Sequence, residues 1–217
     1  MFLDRLYGIF SFFLHFDQVL GNVIREYGIW THALIFCIIF GETGLIIAPF
    51  LPGDSLLFAA GAFASRGSMN IGALLLLCFI AAVIGDTVNY AVGRRLGLRA
   101  FEAIEGRILK RSHLEKAERF YLKYGGRAII LSRFMPIIRT LAPFLAGVSR
   151  MPYGQFIGYN IAGGAIWVTL FLVAGYFFGA IPVVQRNFSL VIIAIVAISL
   201  APLVREFLLA RFAKKQQ

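Results

Sequence analysis

The sequence predicts an all-α, polytopic membrane protein in which two inverted re-entrant hairpins are set among transmembrane helices. Three observations predict it: long apolar runs, two apolar stretches broken by proline, glycine and charge, and a short repeat shared by those two stretches. Of the 217 residues, 59% are hydrophobic and 15% are charged. A soluble domain averages about 45–50% and about 25%. This composition excludes a disordered chain, which lacks apolar residues. The two cysteines, Cys37 and Cys78, lie inside apolar runs and exclude a disulfide-stapled scaffold. The length suits one membrane domain covering 1–217.

Residues 1–27 place Leu3, Leu6, Phe10, Phe13 and Leu20 at roughly helical spacing, with Asp4, Arg5, Asp17 and Arg25 between them. That pattern predicts an amphipathic N-terminal helix. No small-residue cleavage site follows, so a removed signal peptide is not expected. Residues 28–66 form a first helix and hairpin. The apolar run from Gly67 passes Asp86 and reaches Gly97, long enough to cross about 30 Å of hydrocarbon. Residues 98–127 alternate basic residues with Glu and apolar positions and predict a basic amphipathic segment. Residues 128–150 form the second hairpin. Apolar runs over 151–182 and 187–210 predict two more crossings, and 211–217 is a basic tail.

The net charge is +10, and its distribution identifies its purpose. Residues 94–127 hold ten Lys or Arg against four Glu. Arg205, Arg211, Lys214 and Lys215 follow the last apolar run. Basic residues in short connections beside apolar spans orient a membrane protein with those connections in the cytoplasm. Both 94–127 and the C-terminus are therefore expected inside, facing anionic inner-leaflet lipids, and no nucleic-acid partner is expected.

The two hairpins are predicted by their breakers. Pro49, Pro52 and Gly53 interrupt the first, and Pro136, Pro143 and Gly147 the second. Proline removes an amide donor and clashes with the preceding turn. Non-helical backbone at membrane depth is tolerated only inside protein or beside a wet cavity. The stretches also share sequence: APFLPGDS (48–55) and APFLAGVS (142–149) agree at six of eight positions, 94 residues apart. At that offset Glu42 and Asp54 correspond to Pro136 and Val148, and Arg133 and Arg139 to Ile39 and Leu45. Gly93-x-x-x-Gly97 is echoed by Gly175-x-x-x-Gly179. Paired, interrupted segments in an internal repeat point to a transporter site near the midplane.

The charges inside these stretches are the candidate site. An ionised side chain at the bilayer centre costs about 2.5–3.5 kcal/mol by insertion scales, so such groups must face each other or water. The first hairpin carries acids, Glu42 and Asp54, and the second carries Arg133 and Arg139. Arginine offers a permanent charge and paired donors suited to phosphate. Intramembrane carboxylates suit proton exchange. One reading makes these groups a phosphate-binding and proton-coupling or gating set. The other makes them ion pairs that only lock the hairpins together. Asp86, Asn89, Tyr90 and Arg94 fall on one helix face and read as a supporting polar strip near the cytoplasmic end. His15, His32 and His113 have no ligand-like spacing, and no metal site, nucleophile or phosphate-loop motif is present. No cofactor and no enzymatic activity are expected.

At FGETGLIIAPFLPGDSLLFAAG (40–61), GDTVNYAVGRRLG (85–97) and SRFMPIIRTLAPFLAGVSR (132–150), the chain resembles the DedA family of integral membrane proteins. The resemblance covers roughly residues 15–210. The wider superfamily includes eukaryotic lipid scramblases with a SNARE-associated (VTT) domain. The resemblance implies two opposed re-entrant hairpins, proton-linked acids at Glu42 and Asp54, and essential arginines at Arg133 and Arg139. It also implies lipid translocation, with undecaprenyl phosphate as the substrate and protons as partners, in the bacterial inner membrane. Ile137 stands where many members have Gly, and Asp54 where many have Glu. A general phospholipid scramblase, a proton-coupled carrier of a small solute and a non-transporting scaffold remain alternatives. The sequence is compatible with an oligomer.

Overall fold

The computed structural model describes residues 16–45, 53–97, 99, 111–188, 190–191 and 194–195, and every element among them is helical. The helices are α1 (Phe16–Tyr27), α2 (Trp30–Gly44), α3 (Gly53–Ser65), α4 (Ile71–Leu96), α5 (Arg111–Tyr124), α6 (Ala128–Ser132), α7 (Pro136–Val148), α8 (Tyr153–Gly179) and α9 (Pro182–Arg186), with a 3₁₀ turn over Gly125–Arg127. Of the N-terminal segment expected over 1–27, only α1 falls in the described part, and residues 1–15 lie outside it. So do Pro49 and Pro52, most of the basic stretch before α5, almost all of the 187–210 crossing and the 211–217 tail.

Two helices form the frame. α4 has 26 residues and α8 has 27, about 39–40 Å each at 1.5 Å per residue. Both are apolar enough to cross a membrane. Asn70 caps α4, its side-chain oxygen accepting from Ala73 N at 2.9 Å, and so satisfies one of the free amides at a helix start. The frame helices run antiparallel: Asn160 reaches the Val83 carbonyl and Thr87, while Gly164 lies beside Val83 and Phe79. Polarity on them is inverted relative to a soluble fold. Leu76 and Phe177 are 60% and 67% exposed, whereas Asp86 is 4% and Asn160 is 0% exposed. Large apolar side chains outward and charged ones inward match a hydrocarbon solvent.

Two broken helical units fill the frame. In the second, α6 ends at Ser132 and α7 begins at Pro136. Met135 between them is extended, at φ −126° and ψ 103°, because the Pro136 ring disfavours helical backbone before it. Proline at the first helical position costs nothing, since its missing N–H would have no partner there. The other expected breakers behave differently. Pro143 lies inside α7 and Gly147 continues that helix to Val148. A single interior proline is tolerated in membrane helices where neighbours re-satisfy the freed carbonyl. In the first unit, α2 ends at Leu45, also extended, and Gly53 starts α3.

The second leg of each unit packs on the frame helix of the other half: α3 on α8, and α7 on α4. The crossings are reciprocal. A methyl on Gly175 would strike the Phe58 carbonyl, and one on Gly61 the Leu172 carbonyl. Likewise, a methyl on Gly93 would strike the Phe144 carbonyl, and one on Gly147 the Tyr90 carbonyl. The equivalent motifs are therefore Phe58-x-x-Gly61 and Phe144-x-x-Gly147, an offset of 86 residues (58 to 144, 61 to 147). This corrects the 94-residue register taken from the APFL match. Gly93 and Gly175 are equivalent as expected. Beyond them the echo fails: Gly179 sits on Ala62, while Gly97 ends α4 at φ +58° with nothing against it among the described residues.

α5 is not laid wholly against lipid. Its Leu114 and Ala117 are buried on Leu141, Phe144 and Leu145 of α7. Part of the apolar face expected at the membrane surface thus clamps the second broken unit.

Candidate functional site

The helix ends that flank the first break meet the second unit between the frame helices. Arg139, in the first turns of α7, donates from Nη1 to Asp54 Oδ1 at 2.9 Å and from Nη2 to Glu42 Oε1. One guanidinium thus bridges the last turn of α2 and the first turn of α3, as its planar fork allows. Glu42 is 3% and Arg139 is 9% exposed. The Glu42 carboxylate rests over Gly53, where any β-carbon would collide with it. A side chain at position 53 would have to push that carboxylate aside. The N-terminus of α3 beneath also favours negative charge.

Arg133, in the break itself, goes elsewhere. Its Nη2 donates to Asp86 Oδ2 at 2.5 Å and to Asn160 Oδ1 at 2.6 Å. Asp86 and Arg133 are each 4% exposed. Asp86 is therefore a member of the central cluster, not of a peripheral strip. The other three strip residues bond to neighbouring elements or to one another. Asn89 donates to the Thr140 carbonyl at 2.7 Å and weakly to Thr43, Tyr90 donates to the Met151 carbonyl, and Arg94 reaches the Tyr90 hydroxyl at 2.7 Å. They pin α7 and the start of α8 to α4.

Three contributors were not singled out from the sequence. Trp167 of α8 lies between the arginines, its ring centroid 5.9 Å from Arg133 Cζ and 4.9 Å from Arg139 Cζ. Its indole N–H donates to Asp54 Oδ1 at 2.8 Å. Asn160 holds Arg133 through its oxygen and binds the Val83 carbonyl through its amide at 3.0 Å. Gly163 makes room for Arg133, since a β-carbon would lie 3.2 Å from Arg133 Cδ and 3.2 Å from Ile130 Cα. A lone tryptophan, a lone asparagine and one of six glycines in an uncharged 27-residue helix give no periodic signal. Only polarity at Asn160 could have marked that face.

The space left among Thr43, Asp86, Arg133, Arg139 and Trp167 is about 10 Å³, room for about one water. A phosphate group does not fit without displacing a carboxylate. The cluster holds three carboxylates and two guanidiniums, a formal charge of −1 when all are ionised. Arg133 Nε is buried with no acceptor, which leaves one donor uncommitted.

Comparison with known proteins fixes the family. The VTT domain model matches residues 51–177, a segment that runs from the first break through the frame to the end of α8. The chain is 48% identical over 208 residues to Protein DedA of Escherichia coli, covering 95% of each chain. The chain belongs to the DedA family. An uncharacterized membrane protein of Mycobacterium tuberculosis is 44% identical over 170 residues, covering 77% of this chain and 74% of that one. The inner membrane protein YqjA of E. coli is 36% identical over 151 residues, 69% of this chain and 68% of its own. No solved structure matches. Membership in the DedA family and the inverted polarity of α4 and α8 together establish a membrane protein.

Proposed function

We propose that the protein is a lipid translocase that moves undecaprenyl phosphate across the bacterial inner membrane with proton coupling. The observation that carries this reading is the pair of buried arginines held by carboxylates where the two broken units meet. In this reading both broken units are re-entrant, the 94–127 segment and the C-terminus are cytoplasmic, and the chain crosses the membrane several times without catalysing a reaction.

A phosphate entering the cluster takes the guanidinium donors of Arg139 and Arg133 in place of Asp54, Glu42 or Asp86. Displaced carboxylates in a desolvated site are costly unless protonated. Each negative charge brought by the lipid thus favours uptake of a proton, and the charge of −1 in the closed cluster supports one proton there already. In this reading each broken unit opens toward its own face, as alternating access requires. Exposed Leu and Phe side chains on α8 give the prenyl tail an apolar flank.

The test uses purified protein in vesicles with labelled undecaprenyl phosphate in one leaflet. Transfer between leaflets that rises with a proton gradient and disappears in Arg139→Ala supports the reading. Equal transfer of ordinary phospholipids points to a scramblase. A folded Arg139→Ala protein with undiminished transfer sinks the proposal.

A further inference from the structure

A second basic hollow lies at the other end of α3. It is lined by Asn22 and Arg25 of α1, Phe63 of α3, and Arg66 and Ser68 of the following turn, and is an open depression of about 460 Å³. That is within the range of ligand-sized pockets, about 300–1,000 Å³. It adjoins the N-terminus of α4, whereas α5 packs on α7 toward the other end of the frame. Under the orientation proposed above, this is the outer face.

Four features single it out. Among the described residues no carboxylate pairs with Arg66: its Cζ stands 5.3 Å from the ring centroids of both Phe63 and Phe188. Stacking of this kind fixes a guanidinium while leaving its fork of donors free. Arg25 bonds only the neutral Asn22 Oδ1, at 2.5 Å, and among the described residues the ion pairs involve Arg133 and Arg139 instead. Charge selection disfavours basic residues on the outer side, yet two share this hollow. Finally, Ile24 and Phe63, each 9% exposed, give it an apolar wall beneath a cationic rim, which fits the junction of a lipid headgroup and its chain better than a free ion.

We infer that this hollow is a second anion site, which takes the phosphate of a lipid headgroup through Arg25 and Arg66. The inference rests on the translocase reading for its purpose, not for its geometry. Phe63 is about 14 Å along α3 from Asp54, so a headgroup held here stands one short movement from Arg139. The hollow is then a waiting position for a lipid entering or leaving the central cluster.

The experiment is native mass spectrometry of the delipidated full-length protein titrated with phosphatidic acid. Wild type should bind in two steps. Arg25→Gln/Arg66→Gln should lose one step, weakening it roughly 10–100-fold as expected for lost hydrogen bonds to a charged group. Survival of the other step shows that the variant is folded, and Arg66→Lys serves as a milder variant that keeps the charge but loses the planar fork. Arg139→Gln should remove the remaining step and leave the Arg25/Arg66 step intact. If Arg139→Gln changes nothing while the double variant loses its step, the central reading fails and the hollow stands. Unchanged binding in the double variant overturns the inference. Displacement of its step by excess inorganic phosphate assigns the hollow to a free anion and overturns the lipid assignment.

Discussion

The indole of Trp167 donates to Asp54 Oδ1 at 2.8 Å, on the same oxygen that receives Arg139 at 2.9 Å. One carboxylate oxygen thus joins α3, α7 and the frame helix α8. The ring also lies against both arginines, so it touches the Asp54–Glu42–Arg139 group and the Asp86–Arg133 pair alike.

Trp167→Phe keeps an aromatic face beside the arginines but removes the donor to Asp54. It should cost about 1.5–3 kcal/mol of stability, the worth of a hydrogen bond to a charged group. Trp167→Leu should cost more, since it also removes the cation–π contacts, worth about 0.5–2 kcal/mol. Unfolding in detergent micelles measures both. Equal cost for Phe and Leu would show that the ring contributes nothing beyond its N–H.

Arg133 and Asp86 should behave as a unit. Removing either partner leaves a buried charge and should cost about 3–5 kcal/mol. Removing both as Asp86→Asn/Arg133→Gln should cost less than the sum, with a coupling of about 0.5–3 kcal/mol. Additive losses in the double-mutant cycle would mean that the pair seen here does not hold in the membrane.

Much of this site was legible in the sequence because an ionised group in hydrocarbon is expensive and therefore conspicuous. Glu42, Asp54, Arg133 and Arg139 stand out for that reason, and three of them meet as expected. The partner of Arg133 was not legible. Asp86 lies on a frame helix among Asn89, Tyr90 and Arg94, and helical spacing alone reads the four as one strip. In the fold, Asp86 faces the break and its neighbours face other elements. The repeat register was misread for a similar reason. The APFL match reflects local sequence, while the symmetry is carried by Phe-x-x-Gly crossings at another offset. Pro143 was read as a breaker because proline weakens a helix in water; inside α7 its surroundings absorb the loss.

Glycine spacing at the crossings makes a graded prediction. Gly61→Ala and Gly175→Ala each drive a methyl into a backbone carbonyl of the facing helix, and over-packing of this kind costs about 1–3 kcal/mol. Gly93→Ala and Gly147→Ala should match them, because they occupy the equivalent crossing. Gly158→Ala, in α8 with nothing within 4 Å of the added carbon, should instead gain about 0.5–1 kcal/mol from helix propensity. Thermal unfolding in micelles ranks all five, and a neutral Gly61→Ala would contradict the close approach of α3 to α8.

The acid–arginine bridge makes the last prediction, on pH. Glu42→Gln keeps an acceptor for Arg139 but cannot gain or lose a proton, and it fits over Gly53 with the same shape. The variant should remain folded, retain binding of a lipid phosphate and lose the pH dependence of transfer between leaflets. Gly53→Ala should disturb the same residue by another route, because its methyl displaces the Glu42 carboxylate from its seat on α3. It should therefore shift the pH profile while removing no titratable group. Transfer assays across a series of external pH values check both. A Glu42→Gln profile that follows wild type would take Glu42 out of proton coupling and leave that task to Asp54 or Asp86, whose Asn variants the same assay then distinguishes.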